Sequence, residues 1–378
     1  MFDILTLNSI SKKIYTVLDD NYAVSSDCAS PDGILVRSFQ MADYEIGDNL
    51  LAVARAGAGV NNIPIPRMTE KGIVVFNTPG ANANAVKELV LCGILLASRD
   101  VLGGIAWAST LTGADVPKQV EKGKSKFAGN EIDGKTIGIV GLGAIGIKVA
   151  NACYALGMKI VGYDPFLTEA NKALLNCDIE IVDTLDELYP KADFITLHVP
   201  LLDSTRGMIN ADTIAKLPDG AVVLNMARGE LVNVQDVKDA LASGKLKGYV
   251  VDFPSEDCLN TKGIIAIPHL GASTEEAEDN CAVMASAQLK NYLEDGNIVN
   301  SVNFPALSIE RTTEVRIAVT YNAGTSALDA IKALAKDAKF NYAEKKSVGY
   351  ALIDVDACDE ALIEKLSDLD EVVSIRIL

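Results

Sequence analysis

The chain has 378 residues, 49% of them hydrophobic and 22% charged, which supports two or three domains with large cores and excludes disorder. Its 51 acidic against 34 basic side chains leave a formal charge of −17. That charge repels phosphate backbones and anionic lipid, so neither nucleic acid nor a membrane is an expected partner. No apolar run reaches the roughly 18 residues of a membrane span, and the N-terminus MFDILTLNSISKK lacks the layout of a signal peptide. The seven cysteines are scattered and contain no C-x-x-C pair; reduced thiols, a cytoplasmic location and no metal site are expected.

In chain order, short β-type runs at Ile4 to Leu7, Gly33 to Val36, Leu51 to Ala54 and Gly72 to Phe76 alternate with helical spacing. This is the pattern of a parallel sheet covered on both faces. A helix apolar around most of its circumference follows from about Ala83 to Ala97, and is expected to be buried between domains. Residues 109–131 are polar and read as a connector. A second series then begins: strands Thr136 to Val140, Lys159 to Tyr163, Phe194 to Val199, Ala221 to Asn225, Gly248 to Asp252 and Gly263 to Ile267, with a helix at Ala144 to Leu156. Strands separated by helix-length segments predict a doubly wound parallel sheet. Near Asn300 the segment NSVNFPALSIERTTE reads as a linker, and residues 313–378 follow as a strand-helix-strand-strand-helix-strand module.

The motif Gly141-Leu-Gly143-Ala144-Ile145-Gly146 directly follows the strand TIGIV and opens a helix. Such glycines allow a tight turn, close backbone approach to a pyrophosphate, and helix-on-strand packing, and the helix N-terminus offers N–H groups to the phosphates. Asp164 ends the next strand, 18 residues beyond Gly146. A carboxylate there accepts hydrogen bonds from ribose hydroxyls and repels a 2′-phosphate. No Arg follows it in Pro-Phe-Leu-Thr, so NAD is the expected cofactor rather than NADP.

The chain has only two histidines. His198, inside the apolar strand end FITLHVPL, reads as a packed neutral side chain. His269, after strand GIIAI and Pro268, lies at a carboxyl-end loop and is the acid–base candidate. Glu256 and Asp257, in the loop after the preceding strand, are alternative carboxylate partners for it. Arg228 closes the segment VVLNMARGELV and suits a bidentate grip on a substrate carboxylate. Arg55 with Gly57 and Gly59 after strand LAVA suits a small anion, and Asn77-Thr-Pro adds another polar loop.

Taken together, Arg55-Ala-Gly-Ala-Gly-Val-Asn-Asn, Asn77-Thr-Pro-Gly, the Gly141 to Gly146 motif, Asn225-Met-Ala-Arg228-Gly, Asp252-Phe-Pro-Ser-Glu256 and Pro268-His269-Leu-Gly-Ala-Ser-Thr resemble the D-2-hydroxyacid dehydrogenase family, in the family's order and over residues 1 to about 306. The resemblance implies two doubly wound parallel-sheet domains: a flavodoxin-like substrate domain (1–98 plus 280–306) and a Rossmann NAD domain (99–279). It implies His269 as proton acceptor, Glu256 as its partner and Arg228 as holder of the substrate carboxylate. Gly141, Gly143, Ala144, Ile145, Gly146, Asp164, His198, Ala227, Asp252, Gly271 and Ala272 are implied toward the cofactor, and Arg55, Ala58 and Gly59 toward a phosphorylated 2-hydroxy acid. Two departures stand out: the spacing from Asp252 to Glu256 is one residue shorter than the family pattern, and the module at 313–378 resembles an ACT domain whose first loop, Tyr321-Asn-Ala-Gly-Thr, lacks the usual Pro-Gly. Oligomerisation, as a dimer or tetramer, is the expected role of that module.

Overall fold

Apolar runs without polar alternation, such as GILV at 33–36 and AVVLN at 221–225, are buried at every position, as strands covered on both faces require. The computed structural model describes residues 1–336 and 338–378. The chain is α/β, with two parallel sheets and a small antiparallel one. The first sheet contains β1 (Phe2–Leu7), β2 (Tyr22–Ser25), β3 (Gly33–Val36), β4 (Ala52–Arg55) and β5 (Val74–Phe76) in the order β2-β1-β3-β4-β5, all parallel. This is the flavodoxin-like order.

The second sheet contains β6 (Thr136–Val140), β7 (Lys159–Tyr163), β8 (Ile179–Ile181), β9 (Phe194–Leu197), β10 (Ala221–Asn225), β11 (Leu246–Val251) and β12 (Ile264–Ala266). Their order β12-β11-β10-β9-β6-β7-β8 reverses direction at β6, beside β9. The third sheet, β14-β15-β13-β16, is antiparallel and consists of β13 (Val315–Asn322), β14 (Lys339–Lys345), β15 (Val348–Val355) and β16 (Val372–Ile377).

Packing divides the chain into two units, residues 1–82 with 275–378, and residues 83–274. In the first unit, helix Glu275–Asp295 lays Ala282, Ala285, Leu289 and Tyr292 on the face of the first sheet that carries Ile4, Leu35, Ala54 and Phe76. Alternate residues Leu5, Ile34, Val53 and Val75 face Met41, Met68 and Ile63 on the opposite side. In the second unit, helices Ala83–Ser98 and Ala144–Ala155 share one core with Ile137, Ile139, Val222 and Leu224. The first of these helices, placed with the substrate domain on sequence grounds, thus contributes to the core of the second unit.

Three sequence expectations change. Edge strands β2 and β8 were not anticipated, because YAVS and IEI are short and carry few buried side chains. The connector at 109–131 holds a helix, Val116–Gly123, and a 3-10 turn, Lys124–Phe127. The segment read as a linker near Asn300 is packed: the buried Asn303 side chain accepts from Val75 N and donates to Ile73 O and Thr69 Oγ1, and Phe304 is buried. Among the described residues no single helix is long and apolar enough to cross a membrane.

The third sheet does not stand apart from the first unit. One face, with Ile317, Val319, Ala351 and Ile353, packs on its own helices Ala327–Leu334 and Glu360–Ser367. The other, with Ala318, Tyr350 and Leu352, joins the core around Tyr292 and Leu293. The C-terminal carbonyls of helix Glu275–Asp295, which lack intrahelical donors, are satisfied from this sheet. Arg316 donates to Asp295 O, Arg376 to Tyr292 O and Leu293 O, and the Tyr350 hydroxyl to Gly296 O. Arg316 is fully buried and forms a two-point pair with Asp354, at 2.5 and 2.9 Å. Arg316→Ala, which strands the Asp354 charge, is expected to cost about 3–5 kcal/mol in urea denaturation, while Arg316→Met combined with Asp354→Leu costs much less. A double loss as large as the single one would contradict the pairing account.

Candidate active site

The turn after β6 follows directly from its glycines. Gly141 sits at φ +95°, and a Cβ there would lie 2.5 Å from His198 O; a Cβ on Gly146 would lie 1.9 Å from Gly141 O. Only glycine lets the helix Ala144–Ala155 start this close to the strand. Gly143, its N-cap, offers no side-chain cap and faces open space. The first-turn N–H groups at Ala144 and Ile145 thus stand at an uncapped helix N-terminus, suited to an anion. Asp164, at the end of β7, reaches back to this loop: its carboxylate accepts from Leu142 N and Phe166 N, each at 2.8 Å.

His198 N donates to Val140 O, and its Nε2 meets Thr196 Oγ1 at 3.0 Å. The residue is half-buried as a whole, yet its ring Nδ1 is enclosed and has no partner. Burial pushes the imidazole down to about 4, so it is neutral at pH 7 and unsuited to proton transfer there. An enclosed ring nitrogen without a partner, an open glycine at an uncapped helix start and a strand-end carboxylate fit a dinucleotide.

Arg228 and His269 are brought to one place by buried side chains behind them. Asn225, fully buried at the end of β10, accepts from Ala227 N and Arg228 N and donates to Arg228 O at 2.8 Å. It was not singled out for a role from sequence; its only signal was an Asn ending an apolar strand. Asp252, buried just after β11, accepts from Leu270 N and Gly271 N, both at 2.7 Å. Burial pushes its carboxyl up, and the two N–H groups and the nearby His269 draw it back down. A Cβ on Gly271 would lie 2.9 Å from Asp252 Oδ2, so glycine there admits the carboxylate. Ala272 follows in the same turn.

His269 itself adopts φ +55°, a strained backbone for a side chain of its size. Its ring lies 4.3 Å from the ring of Phe253, and the Arg228 guanidinium stands 5.4 Å from the same Phe253 centroid. Beside them is a cavity of about 520 Å3 lined by Val232, Val234, Tyr249, Phe253, Pro254 and Ser255. Glu256 and Asp257, the alternative partners expected for His269, follow Phe253 in the next turn. The short spacing after Asp252 ends in a 3-10 turn, Glu256–Cys258, that buries Cys258 and leaves both acids exposed.

In the first unit, Arg55 at the end of β4 donates through Nε to Arg37 O at 3.0 Å and through Nη1 to Gly59 O. The loop holding Ala58 and Gly59 is closed by Asn77, whose amide donates to Ala58 O at 2.6 Å, and by Thr78 N on Gly57 O.

Residues 105–271 match the D-isomer specific 2-hydroxyacid dehydrogenase NAD-binding domain. A hydroxypyruvate reductase from Thermotoga maritima is 39% identical over 260 residues, 65% of this chain and 80% of that protein. The chain belongs to the D-2-hydroxyacid dehydrogenase family, and its cofactor is NAD. D-3-phosphoglycerate dehydrogenase from Methanocaldococcus jannaschii is 35% identical over 294 residues, 75% of this chain. The chain spans about half the length (54%) of that relative. Among solved structures, NAD+-bound 3-phosphoglycerate dehydrogenase in Entamoeba histolytica is 27% identical with a TM-score of 0.63, covering 81% of this chain and 99% of that one.

The depressed His198 gives a stability prediction. Its unfolded value, near 6.5, lies above the folded one, so the unfolded chain takes up the proton first as pH falls. Stability is complete above pH 6.5 and declines between about 6.5 and 4, by up to roughly 3 kcal/mol from this residue. His198→Gln should flatten that decline in urea titrations at stepped pH; an unchanged slope would remove the assignment.

Proposed function

We propose that the protein is a cytoplasmic NAD-dependent dehydrogenase that oxidises 3-phospho-D-glycerate to 3-phosphohydroxypyruvate, the first step of L-serine biosynthesis. The observation that carries the chemistry is the gathering of Arg228 and His269 on one aromatic ring, at the carboxyl end of a sheet whose first turn fits a dinucleotide. In this reading Arg228 grips the substrate carboxylate and polarises the oxygen at C2. His269 accepts the hydroxyl proton as the C2–H bond breaks and the carbonyl forms. NAD, when bound, would supply the hydride acceptor. Gly141, Gly143, Ala144, Ile145 and Gly146 would hold its pyrophosphate and Asp164 its adenosine ribose, with His198, Ala227, Asp252, Gly271 and Ala272 toward the rest of the cofactor. Glu256 is assigned to pair with His269 during turnover, since such hydrogen bonds often tighten only in the substrate complex.

Arg55, with Ala58 and Gly59, is assigned to the substrate phosphate; the similarity to D-3-phosphoglycerate dehydrogenases supports this. The C-terminal module, whose β-α-β-β-α-β order is ACT-like, is assigned to regulation or to assembly of a homo-oligomer. A second reading, reduction of an unphosphorylated 2-oxo acid, has its own support in the hydroxypyruvate reductase match, which spans 80% of that protein. A third, an NAD-sensing protein without turnover, would have no use for Arg228 and His269 together.

NADH oxidation by the purified protein with 3-phosphohydroxypyruvate, hydroxypyruvate, pyruvate and 2-oxoglutarate separates them. A preference of about a hundredfold in kcat/KM for the phosphorylated acid, roughly 3 kcal/mol, is expected from one well-placed charge-assisted contact. Preference for an unphosphorylated acid moves the assignment to the second reading, and absence of turnover to the third. Arg55→Ala should erase the preference; equal loss on all substrates would end the phosphate assignment. His269→Ala should lower kcat by about 10²–10⁴ without loss of NADH affinity.

A further inference from the structure

Phe253 has no polar atom to offer a substrate, yet both candidate catalytic side chains rest on it. The His269 ring lies 4.3 Å from its centroid at a 44° tilt, and the Arg228 guanidinium 5.4 Å away. Each of those side chains has a backbone that is fixed from behind, by Asp252 through Leu270 N and Gly271 N and by Asn225 through Ala227 N and Arg228 N. What remains is the direction of the two side chains: the Arg228 guanidinium also donates to Ala227 O at 2.6 Å, and Phe253 is the one aromatic surface among the described residues that both touch. Phe253 is half-buried, and its backbone carbonyl packs against the Gly229 turn.

We propose that Phe253 is a positioning residue, a single ring that sets the orientation of His269 and steadies the direction of Arg228. The inference rests on the proposed roles of those two residues. The negative face of an aromatic ring attracts a cation and so steadies the guanidinium, and the tilted ring contact restricts how the imidazole can turn. It also keeps two groups that must both be cationic during carbonyl reduction at a fixed spacing. The charged groups around His269 are Arg228 from the turn after β10, Glu230 at the shared cavity, Asp252 from the end of β11, and the exposed Glu256 and Asp257. Asp252 is the acid whose charge reaches His269 electrostatically, and both its oxygens are already engaged by backbone N–H groups. Phe253 is the one ring, among the described residues, that the His269 imidazole packs against.

In Phe253→Leu, the kcat of NADH-dependent reduction is expected to fall about tenfold to a hundredfold, with KM for NADH unchanged. Phe253→Tyr, which keeps the ring face, restores kcat. Phe253→Met replaces the leucine variant if the latter does not fold, with the same expected direction. A kcat unchanged in the ring-less variants, a loss confined to KM, or a tyrosine variant as impaired as they are, would overturn the proposal. Full turnover in His269→Ala would instead sink the catalytic role of His269, an outcome read on a different variant.

Discussion

Parallel pairing governs where chemistry can occur in this chain. A parallel strand cannot be joined to its neighbour by a hairpin, so every connection in the two large sheets leaves from a carboxyl end and returns by a crossover. Arg55, Gly141, Asp164, His198, Arg228, Asp252 and His269 all lie at or just beyond the ends of β4, β6, β7, β9, β10, β11 and β12. The reversal of strand order beside β6 opens the loops on either side of that strand, which is where the glycine turn and His198 meet.

Holding those loops in one shape takes buried polar side chains rather than further apolar packing. Asp252 and Asn225 each use a carboxylate or amide to tie down the N–H groups of a turn, and each is almost fully out of water. Burying such groups is costly unless every partner is present, so the two turns are effectively locked once β10 and β11 pair. The strained φ of His269 is held by the same arrangement. Asn303 and the Arg316–Asp354 pair do similar work in the first unit, the first fastening residues 301–304 to β5 and the second fastening the small sheet to the end of a 21-residue helix.

The long apolar strands, the glycine fingerprint with its distal acid, and the family motifs in order were legible because each is local: a run of residues or a spacing along one strand and the turn after it. The two edge strands were not, since so little of them is buried, and the helix at 116–123 escaped because its residues are polar outside a narrow stripe. The role of Asn225 is invisible along the chain, because its partners matter only once the strand end folds back on itself.

By itself the sequence determined the two parallel sheets, the dinucleotide turn and the candidates Arg228 and His269, since periodicity and glycine placement act over a few residues. Tertiary structure alone decided that Phe253 packs against both of those side chains, that Glu256 and Asp257 stay in solvent, and that the C-terminal sheet packs on helix Glu275–Asp295. These are contacts between segments far apart along the chain, whose distances depend on how strands register and helices pack, and no residue pattern encodes them one segment at a time.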